Sequence, residues 1–425
     1  MNYAQSVEYI HSLLKFGIKP GLERITALCG ELGNPQDNLK IIHVAGTNGK
    51  GSISTMLSEV LKQTGYKVGL FTSPYVLDFR ERMQINGEMI DKNELAQIVN
   101  KIKPIVESLE KNGLQLTEFE VITAAAFYFF MKNKCDIVVL EVGLGGRFDS
   151  TNIIKNPLVS VITSISYDHI NVLGSTISEI AFEKCGIIKD YGITVSYPQQ
   201  HTDAKKVIEE TAKEKNNRLI IPNLSDISVI ESDITGSKAV IDKIELEIPF
   251  AGKHMVLNCS VAVAALGALN ELEFKVTDEN IKDGIKGAKI PARMEVLTDN
   301  PTVIILDGGH NGECARALDA FIKEYLKNKK IVGLIGMMAD KDYHSYIKTV
   351  APNFNKVIAT TPDNPRALDA KTLCEVVEKH CIDCDFCLKP EEAVKYIKSI
   401  LSEYDALVIC GSFYLSAEVR NSFLS

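Results

Sequence analysis

The sequence predicts an α/β protein built from two parallel-sheet units, and three observations point there. Short β-prone apolar runs alternate with amphipathic helical runs along most of the chain. The alternation breaks at 225–250 and restarts after Pro291-Ala292-Arg293. At 425 residues the chain is too long for one ordinary core, so two domains are expected.

The first element is KIIHVAG (40–46), a buried strand running into a glycine loop. Ile53, Met56, Leu57, Val60 and Leu61 then fall on one face of a helix. KVGLFTS (67–73) completes a strand–helix–strand crossover, the connection parallel strands require. FEVITAAAFYFFMK (119–132) reads as a buried helix leading to the strand DIVVLEVG (136–143), and VSVITSIS (159–166) as a further strand. Short β-prone pieces such as SDITGSKAVI suggest a small antiparallel addition at 225–250, followed by a helix from about Val256 to Glu271. VIILDGG, KIVGLIGM, KVIATT and ALVICGS, separated by helical runs, form the second unit. The boundary is placed at 295/296, giving domains 1–295 and 296–425. No fixed-period repeat or low-complexity segment is present.

Apolar residues make up 45% and charged residues 24%, the balance of a globular enzyme rather than a disordered chain. The net charge of −8 and the lack of a dense Lys/Arg block argue against a nucleic-acid partner. No run approaches the roughly 18 apolar residues of a membrane span, and MNYAQSVEYIHSLLKFG has no signal-peptide pattern. Ten scattered cysteines suit reduced cytoplasmic thiols. Cys381, Cys384 and Cys387, after His380, have a spacing that can hold zinc or an iron–sulfur cluster. No fourth cysteine follows before Cys410, so a helix–turn–strand step is the preferred reading.

The strongest local signal is Gly46-Thr47-Asn48-Gly49-Lys50-Gly51-Ser52, where a strand ends and a helix begins. Glycines there let successive N–H groups turn toward one anion, and the helix N-terminus adds partial positive charge. Lys50 would reach the β- and γ-phosphates and Ser52 would cap the helix or help organise the phosphate–metal site. The common phosphate-loop pattern has glycine where this chain has Val44, and Ser or Thr where it has Gly51. A plain glycine-rich turn is the alternative. Elsewhere, Glu141 ends an apolar strand, where a carboxylate is costly unless it meets a metal or a cation. The alternative there is an exposed strand-end charge. Asp307 and His310 stand at the end of the second unit's first strand, where open α/β sheets bind ligands.

GLERI (21–25), HVAGTNGKGS (43–52), TSPY with ERMQING (72–75, 81–87), LTEFE (116–120), LEVGLGGRFDSTN (140–152), SISYDH (164–169), EKCGIIK (183–189), PARME (291–295), LDGGHN (306–311), GMMADKD (336–342) and GSFYLSAEV (411–419) follow one another in order. In that order and spacing the chain resembles the folylpolyglutamate synthase/dihydrofolate synthase family of the Mur ligase superfamily. The resemblance implies a P-loop ATPase domain followed by a C-terminal Rossmann-like domain. It implies that Gly49, Lys50, Gly51 and Ser52 hold ATP phosphates, with Asn258, Arg293 and Asp307 also binding ATP. It implies magnesium ligands at Ser73, Glu141 and His169, a carbamylated Lys184, and His310 near the γ-phosphate and the incoming amino acid. Arg24, Thr117, Phe119 and Ser150 are implied to line a pterin pocket. From the residues alone, His169 would read as a packed or capping side chain, Ser73-Pro74 as a turn, and Lys184 as a surface lysine. The family usually has His where Tyr75 stands, and Ala and Pro where Gly309 and Gly312 stand.

The implied activity is ATP-dependent ligation of L-glutamate to a folate and to dihydropteroate, through an acyl phosphate, in a cytoplasmic monomer. Magnesium and ATP are implied, with potassium a further candidate. The alternatives are folylpolyglutamate synthesis alone, another Mur-type amino acid ligase, a P-loop regulatory NTPase, and a non-catalytic binding module. GLER and LTEFE favour a folate over a cell-wall precursor. A regulatory NTPase would need neither the Lys184 segment nor Asp307 and His310, and intact Lys50, Glu141 and His169 argue against a mere binding module.

Overall fold

The computed structural model describes the chain from Met1 to Leu424 except Ile18 and Cys381. Cys381, the first cysteine of the C-x2-C-x2-C pattern, therefore lies outside the described residues. The structure is a mixed α/β fold that divides into two compact units. The first unit comprises Met1–Ser228, Ala239–Glu247 and Val256–Ala288; the second comprises Val229–Lys238, Ile248–Met255 and Lys289–Ser425.

The first unit is built on an eight-stranded sheet: β1 (Ile41–Ala45), β2 (Val68–Phe71), β3 (Met83–Ile85), β4 (Glu88–Met89), β5 (Ile137–Glu141), β6 (Val159–Ile162), β7 (Ile193–Ser196) and β8 (Arg218–Ile220). Their order is β4-β3-β2-β5-β1-β6-β7-β8. The strands β2, β5, β1, β6, β7 and β8 are parallel neighbours, and only β3 and β4 run antiparallel. β1 and β5 are buried at every position, so they read as continuous apolar runs rather than alternating ones. Because β5 and β6 flank β1 in parallel, the loops that follow all three open on the same sheet edge. That edge is where Gly46–Ser52, Glu141 and Asp168-His169 fall.

Leu57, Ile53 and Val60 put the apolar face of the helix Lys50–Gln63 inward, as their spacing predicts. The helix Asp278–Gly287 packs on it so closely that a Cβ at Gly284 would lie 2.4 Å from Val60 Cα. A separate core joins the N-terminal helices to the long helices Lys92–Lys111 and Glu118–Lys132.

Between β8 and the second unit's sheet the chain forms, in sequence order, a small three-stranded sheet of β9 (Ile227–Asp233), β10 (Gly236–Ile241) and β11 (Ile244–Ile248). The division into units cuts through its strands. The following helix begins at Lys253, three residues before the expected start, and ends at Glu271. The second unit's sheet contains β12 (Glu295–Thr298), β13 (Val303–Asp307), β14 (Ile331–Ile335), β15 (Lys356–Thr360), β16 (Asp383–Cys387) and β17 (Ala406–Cys410), in the order β12-β13-β17-β14-β15-β16. All neighbours are parallel except β12 with β13.

Cys384 and Cys387 belong to β16, as a helix–turn–strand step requires. Cys374 Sγ donates to Cys384 O, and Cys384 Sγ to Asp385 O.

Candidate active site

In the first unit, two glycines shape the phosphate loop. Gly46 has φ 151°, and a Cβ there would sit 1.8 Å from Thr163 Oγ1; Gly49 has φ 86°, and a Cβ there would sit 2.7 Å from Asn258 Oδ1. Only glycine fits both the backbone conformation and the space. Asn258 is thereby placed on the loop, as expected for a nucleotide-binding residue. Thr47 N donates to Ser164 O at 2.8 Å and Thr163 Oγ1 to Asn48 O at 2.7 Å, stitching the loop to the segment after β6. Thr163 did not stand out in sequence, and Ser164 only as the first residue of SISYDH, because their partners lie more than a hundred positions away.

Gly49 is the N-cap of the helix opened by Lys50 and offers no side-chain cap. That leaves first-turn N–H groups to an anion. Lys50 Nζ donates to Gly46 O and Thr47 O, both at 3.1 Å. Lys184 Nζ donates to the same Gly46 O at 2.9 Å. Lys184 is buried at the end of the helix Ile177–Lys184. Burial, reinforced by Lys50, pulls its pKa down to about 7. A share of its amine is therefore neutral at physiological pH, the form that adds carbon dioxide.

Glu141, 3% exposed, accepts from Ser73 N at 3.1 Å, and its Oε2 would lie 3.7 Å from a Cβ at Gly51. Glu141, Ser73 and the phosphate loop are thus assembled. His169 has φ 51° and half-exposed side chain; its N–H donates to Asp168 Oδ1 at 2.8 Å, and its Nε2 lies 3.8 Å from the same oxygen. The oxygens of Glu141 and Ser73 suit magnesium, while an imidazole is the weaker match. Among the described residues, no three His, Cys, Asp or Glu side chains converge as a metal site; the expected set has two such residues and a serine.

The four expected pterin residues are placed as follows. Arg24 is buried and donates to Glu120 Oε1 at 2.9 Å, Glu23 Oε1 at 2.8 Å and Lys19 O at 2.5 Å. Thr117 caps the helix Glu118–Lys132, with Thr117 Oγ1 donating to Glu120 Oε2 at 2.9 Å. Glu120, inside the LTEFE motif but not singled out in sequence, is the hub joining both. Phe119 lies against Gly143, where a Cβ would come within 2.4 Å of its ring. Ser150 is buried and opens the 3-10 helix Ser150–Ile153. Tyr75 packs on Phe79, with the Arg82 guanidinium 5.2 Å from its ring centre.

In the second unit, Asp307 is buried at the end of β13 and accepts from Met294 N at 3.2 Å and Gly309 N at 2.9 Å. Burial pushes its pKa up; Arg293 and the two amides oppose that rise. Arg293 stands between two non-glycine residues with positive φ, Ala292 at 55° and Met294 at 47°, an uncommon pair that a functional turn can retain. Its guanidinium lies 4.4 Å from the Phe413 ring centre, and the His310 ring is 6.1 Å from that ring, edge-on. A Cβ at Gly308 would meet Phe413 at 2.3 Å, so Phe413 packs against Gly308 and two expected site residues, Arg293 and His310. Burial and Arg293 lower His254 to about 4. Phe413 lay within the GSFYLSAEV motif without being singled out, and His254 carried no distinguishing signal in sequence.

Family models match the Mur ligase middle domain over residues 44–266 and the Mur ligase glutamate ligase domain over 292–413. The chain is 37% identical to a protein of Bacillus subtilis (strain 168) named dihydrofolate synthase/folylpolyglutamate synthase, across 98% of each chain. It is similar to the Mycobacterium tuberculosis folylpolyglutamate synthase solved with ADP and AMPPCP, at TM-score 0.89, 28% identity and 99% of each chain. It is also similar to E. coli FolC in complex with DHPP and ADP, at TM-score 0.87 and 28% identity, over 99% of this chain and 97% of that one.

Proposed function

The chain belongs to the dihydrofolate synthase/folylpolyglutamate synthase family of Mur ligases, and from that premise we propose the chemistry of its own residues. It uses ATP to ligate L-glutamate to a folate, and to dihydropteroate as a second acceptor. The observation that carries this reading is one carbonyl, Gly46 O, receiving both Lys50 and Lys184 beside a glycine cradle, Asn258 and Glu141.

A carboxylate is a poor electrophile at neutral pH, so it must be activated before an amine can attack it. The acceptor carboxylate oxygen attacks the γ-phosphorus of ATP, ADP departs, and an acyl phosphate forms. Gly49, Gly51 and Ser52 present the loop and the helix N-terminus to the phosphates, and Lys50 leaves its carbonyls to follow the migrating charge. Arg293 and Asp307 bind nucleotide from the second unit. The neutral amine of glutamate then attacks the acyl carbon, releasing phosphate and a proton; His310 is assigned to this step on the family resemblance.

Magnesium, when bound, neutralises phosphate charge; Ser73, Glu141 and His169 are its assigned ligands. Lys184 as a carbamate would add an oxygen donor in place of a cation, and its lowered pKa suits that modification. Potassium is assigned as an accessory cation on the family resemblance alone. Arg24, Thr117, Phe119 and Ser150 are assigned to the pterin side. Arg24 and Thr117 act there by shape, since Glu120 engages both.

Residues 1–295 are assigned to ATP and acceptor binding and 296–425 to the glutamate ligase domain. Among the described residues, no helix is long and apolar enough to cross a membrane. Among the described residues nine cysteines are free thiols; the activity is assigned to a monomer in the cytoplasm, whose reducing conditions suit free thiols.

The test is ADP release with saturating glutamate and either dihydropteroate or a reduced folate. Both acceptors should support turnover. ADP from reduced folates alone would remove the dihydrofolate synthase half, and ADP from neither would remove the folate reading.

A further inference from the structure

We infer that His43 is a positioning residue, acting through Thr151 and Asp149 to hold the loop that carries Ser150 and braces Lys184. The inference rests on the assignment of Ser150 to the acceptor side.

His43 is the middle residue of the central strand β1 and has no exposed surface. A polar ring in an apolar strand is costly unless it is hydrogen-bonded. Its Nε2 lies 2.8 Å from Thr151 Oγ1, and Thr151 Oγ1 lies 2.6 Å from Asp149 Oδ1. Asp149 also accepts from Thr151 N at 3.0 Å and Leu144 N at 2.8 Å. Burial pushes the Asp149 pKa up on balance, and the three converging donors temper that rise.

Backbone N–H groups already donate to both Asp149 oxygens, Thr151 N to Oδ1 and Leu144 N to Oδ2, so Asp149 is the acceptor and the single hydroxyl proton of Thr151 goes to it. The Thr151 oxygen then accepts from His43, and Nε2 must carry the ring proton. Nδ1 is left without a proton and has no hydrogen-bond partner among the described residues. The direction of donation is thus set along the whole chain, from ring to hydroxyl to carboxylate. Burial holds the His43 pKa down at about 3, in keeping with a neutral ring.

The loop this chain secures runs from the end of β5 to Ser150. Asp149, through Leu144 N, closes it on itself. Along it, Gly143 lies against Phe119 and Gly146 against Lys184 O. Arg147 N donates to Glu183 O at 2.8 Å, and a Cβ on Gly186 would strike Arg147 Cα at 2.3 Å. One short loop therefore meets the expected acceptor side at Phe119 and Ser150 and supports the main chain of Lys184. His43 ties that loop to the strand that continues into Gly46.

The test compares His43→Leu, His43→Gln, Thr151→Val and the Leu/Val double variant, with melting midpoints recorded for each. His43→Leu and Thr151→Val should each raise the acceptor KM about tenfold, the size of one lost charge-linked hydrogen bond, and leave the ATP KM near wild type. His43→Gln, which can return an N–H to the Nε2 position, should recover most of that loss. The double variant should be no worse than either single one, because both cut the same chain. Additive losses, or a His43→Gln enzyme as impaired as His43→Leu, would overturn the relay. If His43→Leu fails to fold, Thr151→Val decides by the same split between acceptor and ATP. Nitrogen NMR of histidine-labelled protein reads the tautomer independently of catalysis; a proton on Nδ1 would sink the relay. Ser150→Ala is run in parallel. An unchanged acceptor KM there, with the tautomer as inferred, would overturn the acceptor assignment instead.

Discussion

The carboxyl ends of the two sheets hold opposite electrostatic problems. In the first unit, two ammonium groups, Lys50 and Lys184, converge on Gly46 O. In the second, one carboxylate, Asp307, receives two backbone amides with Arg293 nearby. Burial disfavours the charged form in both places. At Lys184 the neighbouring Lys50 pushes in the same direction as burial, and the pKa falls to about 7. At Asp307 the neighbours push against burial. Desolvation sets the direction of the shift in both, and the sign of the nearest partner decides whether it is reinforced or tempered. The first end is thus suited to losing a cation, by deprotonation or by carbamate formation, while the second lessens the cost of its buried carboxyl with Arg293 and two amides.

The largest effect should come from Lys50→Ala. It removes the mobile charge of the first end and should lower turnover about a thousandfold, as loss of a key transition-state donor can. The melting midpoint should change little, since Lys50 is half-buried and donates to the loop carbonyls Gly46 O and Thr47 O rather than filling a core. Near-normal turnover would break the comparison by removing the phosphate-loop assignment.

Lys184→Ala should lose about a hundredfold, and part of the rate should return with Lys184→Glu or with added short-chain carboxylic acids, which supply the missing oxygen donor. A fully active Lys184→Ala enzyme would refute the carbamate. The unmodified amine has a pH signature as well. Its folded pKa of about 7 lies below its ordinary value of 10.5. Between those values the unfolded chain binds more protons than the folded one, so stability from this group rises with pH across that window. Denaturation in carbon-dioxide-free buffer should show that slope in the wild type and a flatter one in Lys184→Met. Equal slopes would mean that Lys184 is not strained by burial.

Asp307→Asn should have the smallest effect, an ATP KM raised about tenfold, because the amide can still accept one of the two N–H bonds but no longer faces Arg293 as an anion. An unchanged ATP KM would separate Asp307 from nucleotide binding and leave it a turn-building residue.

Much of the fold was legible because it rests on local pattern. The face of Ile53, Leu57 and Val60 and the uniform apolarity of β1 and β5 follow from helix and strand periods within single segments. The phosphate loop was legible for the same reason, since its glycines occupy backbone conformations that few other residues adopt. Arg24 was harder. In sequence it is a charged residue in a motif, while its charge is met by Glu120, 96 positions away. His43 offered less still: within an apolar strand it reads as one more buried side chain, and nothing local marks Thr151, 108 positions on, as its partner.

By itself, then, the sequence determined two parallel α/β units, a glycine-rich loop at a strand–helix junction, and the family motifs that order the remaining candidates. The tertiary structure decided which candidates share a microenvironment and in what state of charge. It brought Lys184 to the carbonyl already held by Lys50, turned Glu120 into the partner of Arg24 and Thr117, and lined up His43, Thr151 and Asp149. The reason is range. Propensity and periodicity act over a few residues, whereas desolvation and hydrogen bonding depend on whatever the fold places within a few ångströms, however distant it lies along the chain.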